Sequence, residues 1–250
     1  MTRLLLLGGT SEGTRIAEHL ADRPGVTVIS SLAGRIAAPS LPAGEVRIGG
    51  FGGITGLIDY LAAERIDGVI DATHPFSVQI SIHAAEACAD AGVPLVAFIR
   101  PPWMEVLGDD WRPAADTEAA ARLCSGRVFL TIGRQEVAAF AKVDAWFLIR
   151  AIEMPTGALP AGRQVTLARG PFDVEHEIDL MRSHRIDMVV SKNSGGSSTY
   201  AKIVAARTLG LPVVMIERPE RPETEQAWDL ETIDAWIDRI EFARAKRQRR

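Results

Sequence analysis

The chain has 250 residues, of which 47% are hydrophobic, and a formal net charge of −4. That length suits one large or two small domains, and the negative net charge argues against general nucleic-acid binding. No apolar run has the length of a membrane span or the layout of a signal peptide. The only two cysteines, Cys88 and Cys124, have no ligand-like spacing, so we expect buried thiols, no bound metal and a cytoplasmic location.

The N-terminal stretch predicts the first unit of a nucleotide-binding fold. Residues 4–7 are four leucines, which is typical of a strand buried on both faces of a parallel sheet. A glycine turn and a helical pattern follow, and the glycines would let the backbone approach a pyrophosphate. Thr10 stands where the fingerprint G-x-G-x-x-G has its middle glycine, and Arg15 excludes a P-loop. A tight turn in any α/β protein would have a similar sequence.

The end of the second predicted strand, residues 26–29, favours NADP. In this fold an acidic residue at that point binds the 2′-hydroxyl of NAD, whereas a nearby arginine suits the 2′-phosphate of NADP. Here Ser30, Ser31 and Arg35 follow the strand, and the next acidic residue is Glu45. Hydroxyl and guanidinium donors match a phosphate, although an ordinary polar loop would contain the same residues.

Two later loops of the first half are further candidates for ligand contacts. Residues 46–48 predict a third strand that ends in a glycine-rich loop, where Gly50 would allow close approach to the adenine end. Residues 69–70 belong to a fourth strand, and Thr73 and His74 follow where a nicotinamide or its substrate would lie. His74 could donate a hydrogen bond or a proton, or it could cap the next helix.

The second half repeats the alternation of strands and helices. Residues 100–113, which contain prolines and two tryptophans, indicate a crossover between the halves. The fold class is therefore α/β, with two Rossmann-like domains whose mostly parallel sheets face each other across a cleft. We expect the NADP-binding domain over residues 1–112 and the substrate-side domain over residues 113–250.

Cationic side chains follow the predicted strands of the second half. A substrate with several carboxylates would need that arrangement, and we expect at least two of the four side chains to contact it. Alternatively, some of these cationic side chains pair with nearby acidic residues of the protein instead of binding a substrate. The loop 191–196 adds hydroxyls and backbone amides that suit an anion. Neither a G-x-S-x-G elbow nor a metal-ligand cluster is evident, which leaves cofactor chemistry. The four cations are Arg134, Arg150, Arg169 and Lys192.

Four stretches taken together resemble the precorrin-6A reductase family of cobalamin biosynthesis: LGGTSEG (7–13), DATHPF (71–76), RGPF (169–172) and SKNSGG (191–196). Residues 202–219 are similar to that family's closing segment. The resemblance implies NADPH-dependent reduction of precorrin-6A to precorrin-6B. One double bond in the ring D region would take a hydride from the nicotinamide and a proton at the neighbouring carbon. It also implies two Rossmann-like domains that exchange a strand, which blurs the expected boundary.

Together with the patterns above, the resemblance implies partners and site residues. The substrate would be a polycarboxylate tetrapyrrole, metal-free or cobalt-containing, and its product could pass to other enzymes of the cobalamin pathway. Neither nucleic acid nor a membrane is expected as a partner. His74 is the first candidate for a proton donor, although water could serve. The NADPH contacts would be Gly8, Gly9, Thr10, Ser11, Glu12, Gly13, Ser30, Ser31, Arg35, Gly50 and Thr73. The substrate contacts would be His74, Arg134, Arg150, Arg169, Lys192, Ser194, Gly195 and Gly196.

Two other functions remain open at this point. A sugar-nucleotide-dependent transferase would also have two facing α/β domains, but it would bind a sugar nucleotide rather than NADPH. A non-catalytic NADP sensor would bind NADPH without turning over any tetrapyrrole.

Overall fold

The computed structural model describes residues 1–34 and 42–248. The chain forms two compact units, of which the first comprises Met1–Arg100 with Glu220–Arg250 and the second Pro101–Pro219. Among the described residues, each unit contains a sheet of six parallel strands. No helix in these residues is long and apolar enough to span a membrane.

The first unit has its sheet in the order β12-β5-β4-β1-β2-β3. Its strands are β1 (Thr2–Leu7), β2 (Val26–Leu32), β3 (Glu45–Ile48), β4 (Gly68–Asp71), β5 (Leu95–Phe98) and β12 (Glu225–Ala227). Its helices are α1 (Ser11–Ala21), α2 (Gly53–Ala63), α3 (Val78–Ala91) and α7 (Leu230–Gln248).

The leucines of β1 form the centre of the first unit. Leu4 and Leu6 pack in one core with residues of α1 and α7, while Leu5 and Leu7 pack in a second core with residues of α2 and α3. All four are nearly inaccessible to solvent. The prediction of a strand buried on both faces is therefore confirmed, and its alternating side chains explain why no polar residue interrupts the run.

The second unit has its sheet in the order β6-β11-β10-β7-β8-β9. Its strands are β6 (Trp111–Ala114), β7 (Arg127–Thr131), β8 (Trp146–Ala151), β9 (Gly162–Leu167), β10 (Met188–Lys192) and β11 (Val213–Ile216). Its helices are α4 (Thr117–Arg122), α5 (Val174–Ser183) and α6 (Ala201–Leu209), with a 3₁₀ turn at Val137–Phe140.

The chain divides differently from the boundary expected at residue 112. The first unit ends at Arg100, and β6 already belongs to the second sheet, where it pairs with β11. Conversely, β12 follows the second unit along the chain but pairs with β5 of the first. The first sheet is thus completed by a strand from the C-terminal segment, and the second by a strand that precedes residue 115. The α7 residues Ile233 and Trp236 belong to the core beneath β1, which explains why the C-terminal segment returns.

The strand order reverses once in each sheet. In the first unit the reversal lies between β1 and β4, and in the second between β7 and β10. This order is that of a doubly wound Rossmann-like sheet, whose ligands bind outside the carboxyl ends of the strands at such a reversal. The segments that follow these four strands are therefore the places to look for a site.

Candidate functional site

Thr10 organises the turn that follows β1. Its hydroxyl accepts a hydrogen bond from the backbone N–H of Gly13 at 3.1 Å and donates one to the carbonyl of Ala72 at 2.8 Å. The first contact caps α1, and the second fastens that helix to the segment after β4. The residue that breaks the G-x-G-x-x-G fingerprint thus joins the two strand ends that flank the reversal.

The glycines beside Thr10 keep this turn tight. A Cβ on Gly13 would stand 3.2 Å from the Cα of Gly8, so a side chain there would have to displace the Gly8 backbone by a few tenths of an ångström. Gly9 has φ +104°, and no heavy atom lies within 4 Å of the position a Cβ would take there. The turn is therefore open on the side of Gly9, where a helix N-terminus attracts an anion.

Glu12 lies in the first turn of α1 and pairs with Arg100 at 2.8 Å. Burial alone would raise the pKa of the Glu12 carboxyl. The charge of Arg100 and hydrogen bonds from Arg100 and Ser11 outweigh burial, so the pKa lies below its ordinary value. The carboxylate is therefore ionised, and Arg100 offsets a charge that would otherwise oppose a bound pyrophosphate.

The expected loop at Ser30 and Ser31 is part of a strand. β2 continues to Leu32 because β3 pairs alongside it, and both serines are buried. Successive side chains of a strand point to opposite faces, so the two hydroxyls cannot converge on one phosphate. The Ser30 hydroxyl forms no hydrogen bond within the described part of the chain. Arg35, the third member of the predicted group, lies outside the described residues.

Arg47 was not among the predicted residues, yet it provides the cation beside Ser31. Its guanidinium donates to the Ser31 hydroxyl at 2.8 Å and to the carbonyls of Gly49 and Gly50 at 2.9 and 3.0 Å. It also lies 3.9 Å from the centre of the Phe51 ring. Arg47 thereby holds the glycine-rich loop at the carboxyl end of β3. An arginine just before a glycine-rich loop was the signal in the sequence.

The segment after β4 is held by a buried carboxylate. Asp71 accepts hydrogen bonds from the backbone N–H of Thr73 at 3.0 Å and from its hydroxyl at 2.6 Å. Arg221, from the segment that returns after the second unit, pairs with Asp71 at 2.5 Å. Arg221 was not among the predicted residues, because no local pattern links it to a residue 150 positions earlier.

His74 lies in the turn before α3. Its Nδ1 accepts a hydrogen bond from the backbone N–H of Phe76 at 3.3 Å, and its carbonyl accepts one from Ser77 at 2.7 Å. An Nδ1 that accepts places the proton of a neutral imidazole on Nε2. His74 therefore orders the turn and has a donor on its other nitrogen.

Two of the predicted cations of the second unit pair with acids near the carboxyl ends of β7, β8 and β10. Arg134 lies 2.7 Å from Glu153, and Lys192 lies 2.5 Å from Glu136. Arg169, which follows β9, is exposed. The structure thus places three of the four cations at the carboxyl edge of the second sheet, two of them in local ion pairs.

Arg150 does not fit the expected contact with a substrate. β8 continues to Ala151, and the Arg150 side chain is buried, where it pairs with the equally buried Glu177. Its guanidinium stacks on Phe172 at 3.7 Å from the ring centre. Arg150 is therefore a core residue of the second unit, and the prediction that it binds substrate is corrected.

Lys202 completes this buried cluster. Its ammonium donates to the carbonyl of Thr199 at 2.9 Å and lies 5.0 Å from the centre of the Trp103 ring. Burial and the charge of Arg150 lower the pKa of Lys202 to about 7, although Glu177 acts in the opposite direction.

The loop after β10 is closed by groups from both ends of the second unit. Arg218 donates to the carbonyls of Asn193 and Ser194 at 2.8 and 3.1 Å, and the indole of Trp103 donates to Gly196 at 2.7 Å. A Cβ on Gly195 would stand 2.2 Å from the carbonyl oxygen of Pro101, so only glycine fits. Ser194 is buried. The loop is therefore a fixed scaffold around Gly195 and Gly196.

Both cysteines are free thiols, and burial raises the pKa of each to about 12. In the residues that the structure describes, no group of three or more His, Cys, Asp or Glu side chains is placed to hold a metal ion.

Comparison with known proteins agrees with this geometry. A model of the family described as precorrin-6x reductase CbiJ/CobK matches residues 3–239. The precorrin-6A reductase of Rhodococcus erythropolis is 53% identical over 95% of this chain and 98% of its own length. That of Rhodobacter capsulatus is 46% identical, with coverage of 95% and 96%. A solved structure described as CobK precorrin-6A reductase has a TM-score of 0.91 at 45% identity and covers 96% of this chain and 97% of its own.

Lys202→Met is expected to remove the pH dependence of stability that the buried amine confers, because the methionine side chain takes up no proton on unfolding. Lys202 has a pKa of about 7 when folded against 10.5 ordinarily, so unfolding takes up a proton between these values. The free energy of unfolding of the wild type should therefore rise with pH by up to ~1.4 kcal/mol per unit from this site alone.

Urea titrations from pH 7 to pH 9 measure this difference. The pH range ends at 9 because the cysteine thiols, with an ordinary pKa of 9.0, would also make the free energy of unfolding depend on pH above that value. Lys142→Met, at an exposed lysine of the same unit, is the control and should follow the wild type. Parallel pH profiles for wild type and Lys202→Met would contradict the assignment of the low pKa to Lys202.

Proposed function

The chain belongs to the precorrin-6x reductase CbiJ/CobK family, and from that premise we propose that it reduces precorrin-6A to precorrin-6B with NADPH. The observation that supports this most strongly is the turn around Thr10 beside Asp71 and Thr73, at the strand reversal of the first unit. A doubly wound sheet binds dinucleotides at this position.

The residues of the first unit fit NADPH. The open side of Gly9 and the N-terminus of α1 would receive the pyrophosphate, with Thr10, Ser11 and Gly13 shaping the turn. Thr73 and His74 would border the nicotinamide, since they follow β4 across the reversal. When bound, NADPH supplies the hydride that the reduction of a carbon–carbon double bond requires.

The adenosine end fits NADPH through Arg47. The guanidinium is held at the carboxyl end of β3 by Ser31 and by the loop carbonyls of Gly49 and Gly50. That loop contains glycines whose Cβ positions have no neighbour within 4 Å, so a ligand has room beside it. A planar guanidinium is the preferred partner of a phosphate. We assign the 2′-phosphate to Arg47, with Arg35 as a second candidate.

The second unit fits a substrate with several carboxylates. Arg134, Arg169 and Lys192 lie at the carboxyl edge of its sheet, and the loop containing Gly195 and Gly196 lies beside its strand reversal. Glu153 and Glu136 hold two of these cations in fixed positions, where a substrate carboxylate would share or replace the pairing. Bidentate pairing with arginine would orient the macrocycle as well as bind it.

His74 is the first candidate for delivering the proton. A neutral imidazole with Nδ1 occupied by the Phe76 N–H keeps its proton on Nε2, from which it could pass to the carbon beside the site of reduction. Water is the alternative donor. Either source completes the reduction, which adds one hydride and one proton across the double bond.

The proposed reaction is tested by mixing the purified protein with precorrin-6A and NADPH. We expect absorbance at 340 nm to fall in step with formation of a tetrapyrrole two mass units heavier. A sugar-nucleotide transferase would bind no NADPH, and a sensor would bind NADPH without consuming it. Oxidation of NADPH no faster than without precorrin-6A would contradict the proposal.

Arg47→Gln is expected to weaken NADPH binding by about tenfold or more, since a charge-assisted hydrogen bond is lost, while NADH binding changes little. The ratio of the two dissociation constants, measured by calorimetry, isolates the 2′-phosphate, because disorder of the glycine loop would affect both coenzymes. Arg3→Gln, which breaks an ion pair with Glu64 at the amino end of β1, is the control. An equal loss for NADPH and NADH would remove Arg47 from the phosphate site.

A further inference from the structure

Arg221 connects the end of β4 to the segment that returns from the second unit. Its guanidinium pairs with Asp71 at 2.5 Å, lies 3.4 Å from the Thr73 hydroxyl, and donates to the hydroxyl of Ser81 on α3. The Arg221 side chain is largely buried, and that of Asp71 is 3% exposed. A single side chain thus contacts β4, the following turn and α3.

The contact with Asp71 is a requirement of that turn. A buried carboxylate without a cationic partner is strongly destabilising, so the Asp71 side chain needs Arg221 beside it. The same carboxyl group accepts hydrogen bonds from the backbone and hydroxyl of Thr73 on Oδ1 and one from Arg221 on Oδ2. Arg221 therefore determines the position of Thr73 and, through the same short turn, of His74.

Attachment of the returning segment does not depend on Arg221. The helix α7 buries Ile233, Trp236 and Ile237 in the core beneath β1. Arg244, also from α7, pairs with Asp67 at 2.6 Å, just before β4 begins. The two arginines thus hold opposite ends of the same strand, and the one at the carboxyl end stands at the proposed coenzyme site.

We propose that Arg221 is a positioning residue for the nicotinamide end of the coenzyme site. It acts through Asp71 and Thr73, which it fixes at the strand reversal, and it orients the turn that contains His74. This inference rests on the proposed function, because it assigns the turn after β4 to the nicotinamide. The pyrophosphate turn around Thr10 and the 2′-phosphate contact at Arg47 would not depend on it.

The test compares Arg221→Gln with Arg221→Lys and with the control Arg244→Gln, which breaks the ion pair at the other end of β4. Hydrogen–deuterium exchange is followed with and without NADPH. In the wild type and in Arg244→Gln, NADPH should slow exchange in both segments 8–14 and 71–77. In Arg221→Gln, protection of 8–14 should persist and protection of 71–77 should be lost.

Two further measurements separate positioning from stability. Arg221→Gln should lower kcat with precorrin-6A on the order of 10- to 100-fold, as expected when a reacting group is misplaced. Its NADPH dissociation constant should change less than about threefold, since the phosphate contacts remain. Arg221→Lys retains a charge for Asp71 and should recover part of kcat, while Arg244→Gln should match the wild type.

Three results would overturn the inference. The first is normal protection of 71–77 by NADPH in Arg221→Gln. The second is an unchanged kcat in that variant. The third is an equal loss of protection in Arg244→Gln, which would show a general effect of loosening β4. A wild type that is protected by NADPH yet fails to reduce precorrin-6A would instead refute the proposed function, while the exchange data would still decide the role of Arg221.

Discussion

The reversal of strand order, beside β1 in the first sheet and beside β7 in the second, is the constraint on which the rest of the structure depends. Parallel strands on either side of a reversal send their following helices to opposite faces, so the segments beyond their carboxyl ends diverge and leave room for a ligand. In the first unit these segments begin at Gly8 and Ala72, and Thr10 bonds them together. In the second unit the reversal lies beside Thr131 and Lys192. The buried leucines of β1 make the first arrangement rigid.

Ion pairs then set the positions of the side chains at these edges. Glu12 with Arg100 and Asp71 with Arg221 hold the two segments of the first unit. Both pairs are largely buried, so each charge needs its partner, and the pairs orient the two segments as well as balancing their charge. The pair of Arg150 and Glu177 lies deeper, with both ions inside the core of the second unit. Charged residues at strand ends thus either border the candidate site or belong to the core.

Much of the fold could be predicted from periodicity. The leucine run of β1 and the helical stripe of α7 follow directly from apolar spacing. The strands β6 and β12 escaped prediction, because the first contains Pro113 and the second has three residues, two of them polar. Both are edge strands, where proline and short length are tolerated. Because β6 belongs to the second sheet and β12 to the first, the chain divides after Arg100 and again after Pro219 rather than at the expected residue 112.

The candidate site was predictable where motif and strand end coincide, as at Thr10, Thr73 and Lys192. It was not predictable where burial, or a contact with a residue distant in the sequence, determines the role of a side chain. Arg150 and Arg169 both follow a strand-like pattern in the sequence. Arg150 nevertheless lies inside β8, which continues to Ala151, whereas Arg169 follows the end of β9. The partner of Asp71 lies in a proline-rich segment without a pattern of its own. No local spacing can reveal such a contact, because it depends on the return of the chain to the first unit.

The central claim is that the first unit presents NADPH for direct transfer of its hydride to the tetrapyrrole. The most direct measurement is a single turnover with NADPH deuterated at the transferable position of the nicotinamide, followed by mass spectrometry of the product. With ordinary water as solvent, we expect one deuterium on a carbon of the macrocycle. A product without deuterium, formed at the same rate as NADPH is consumed, would contradict that claim.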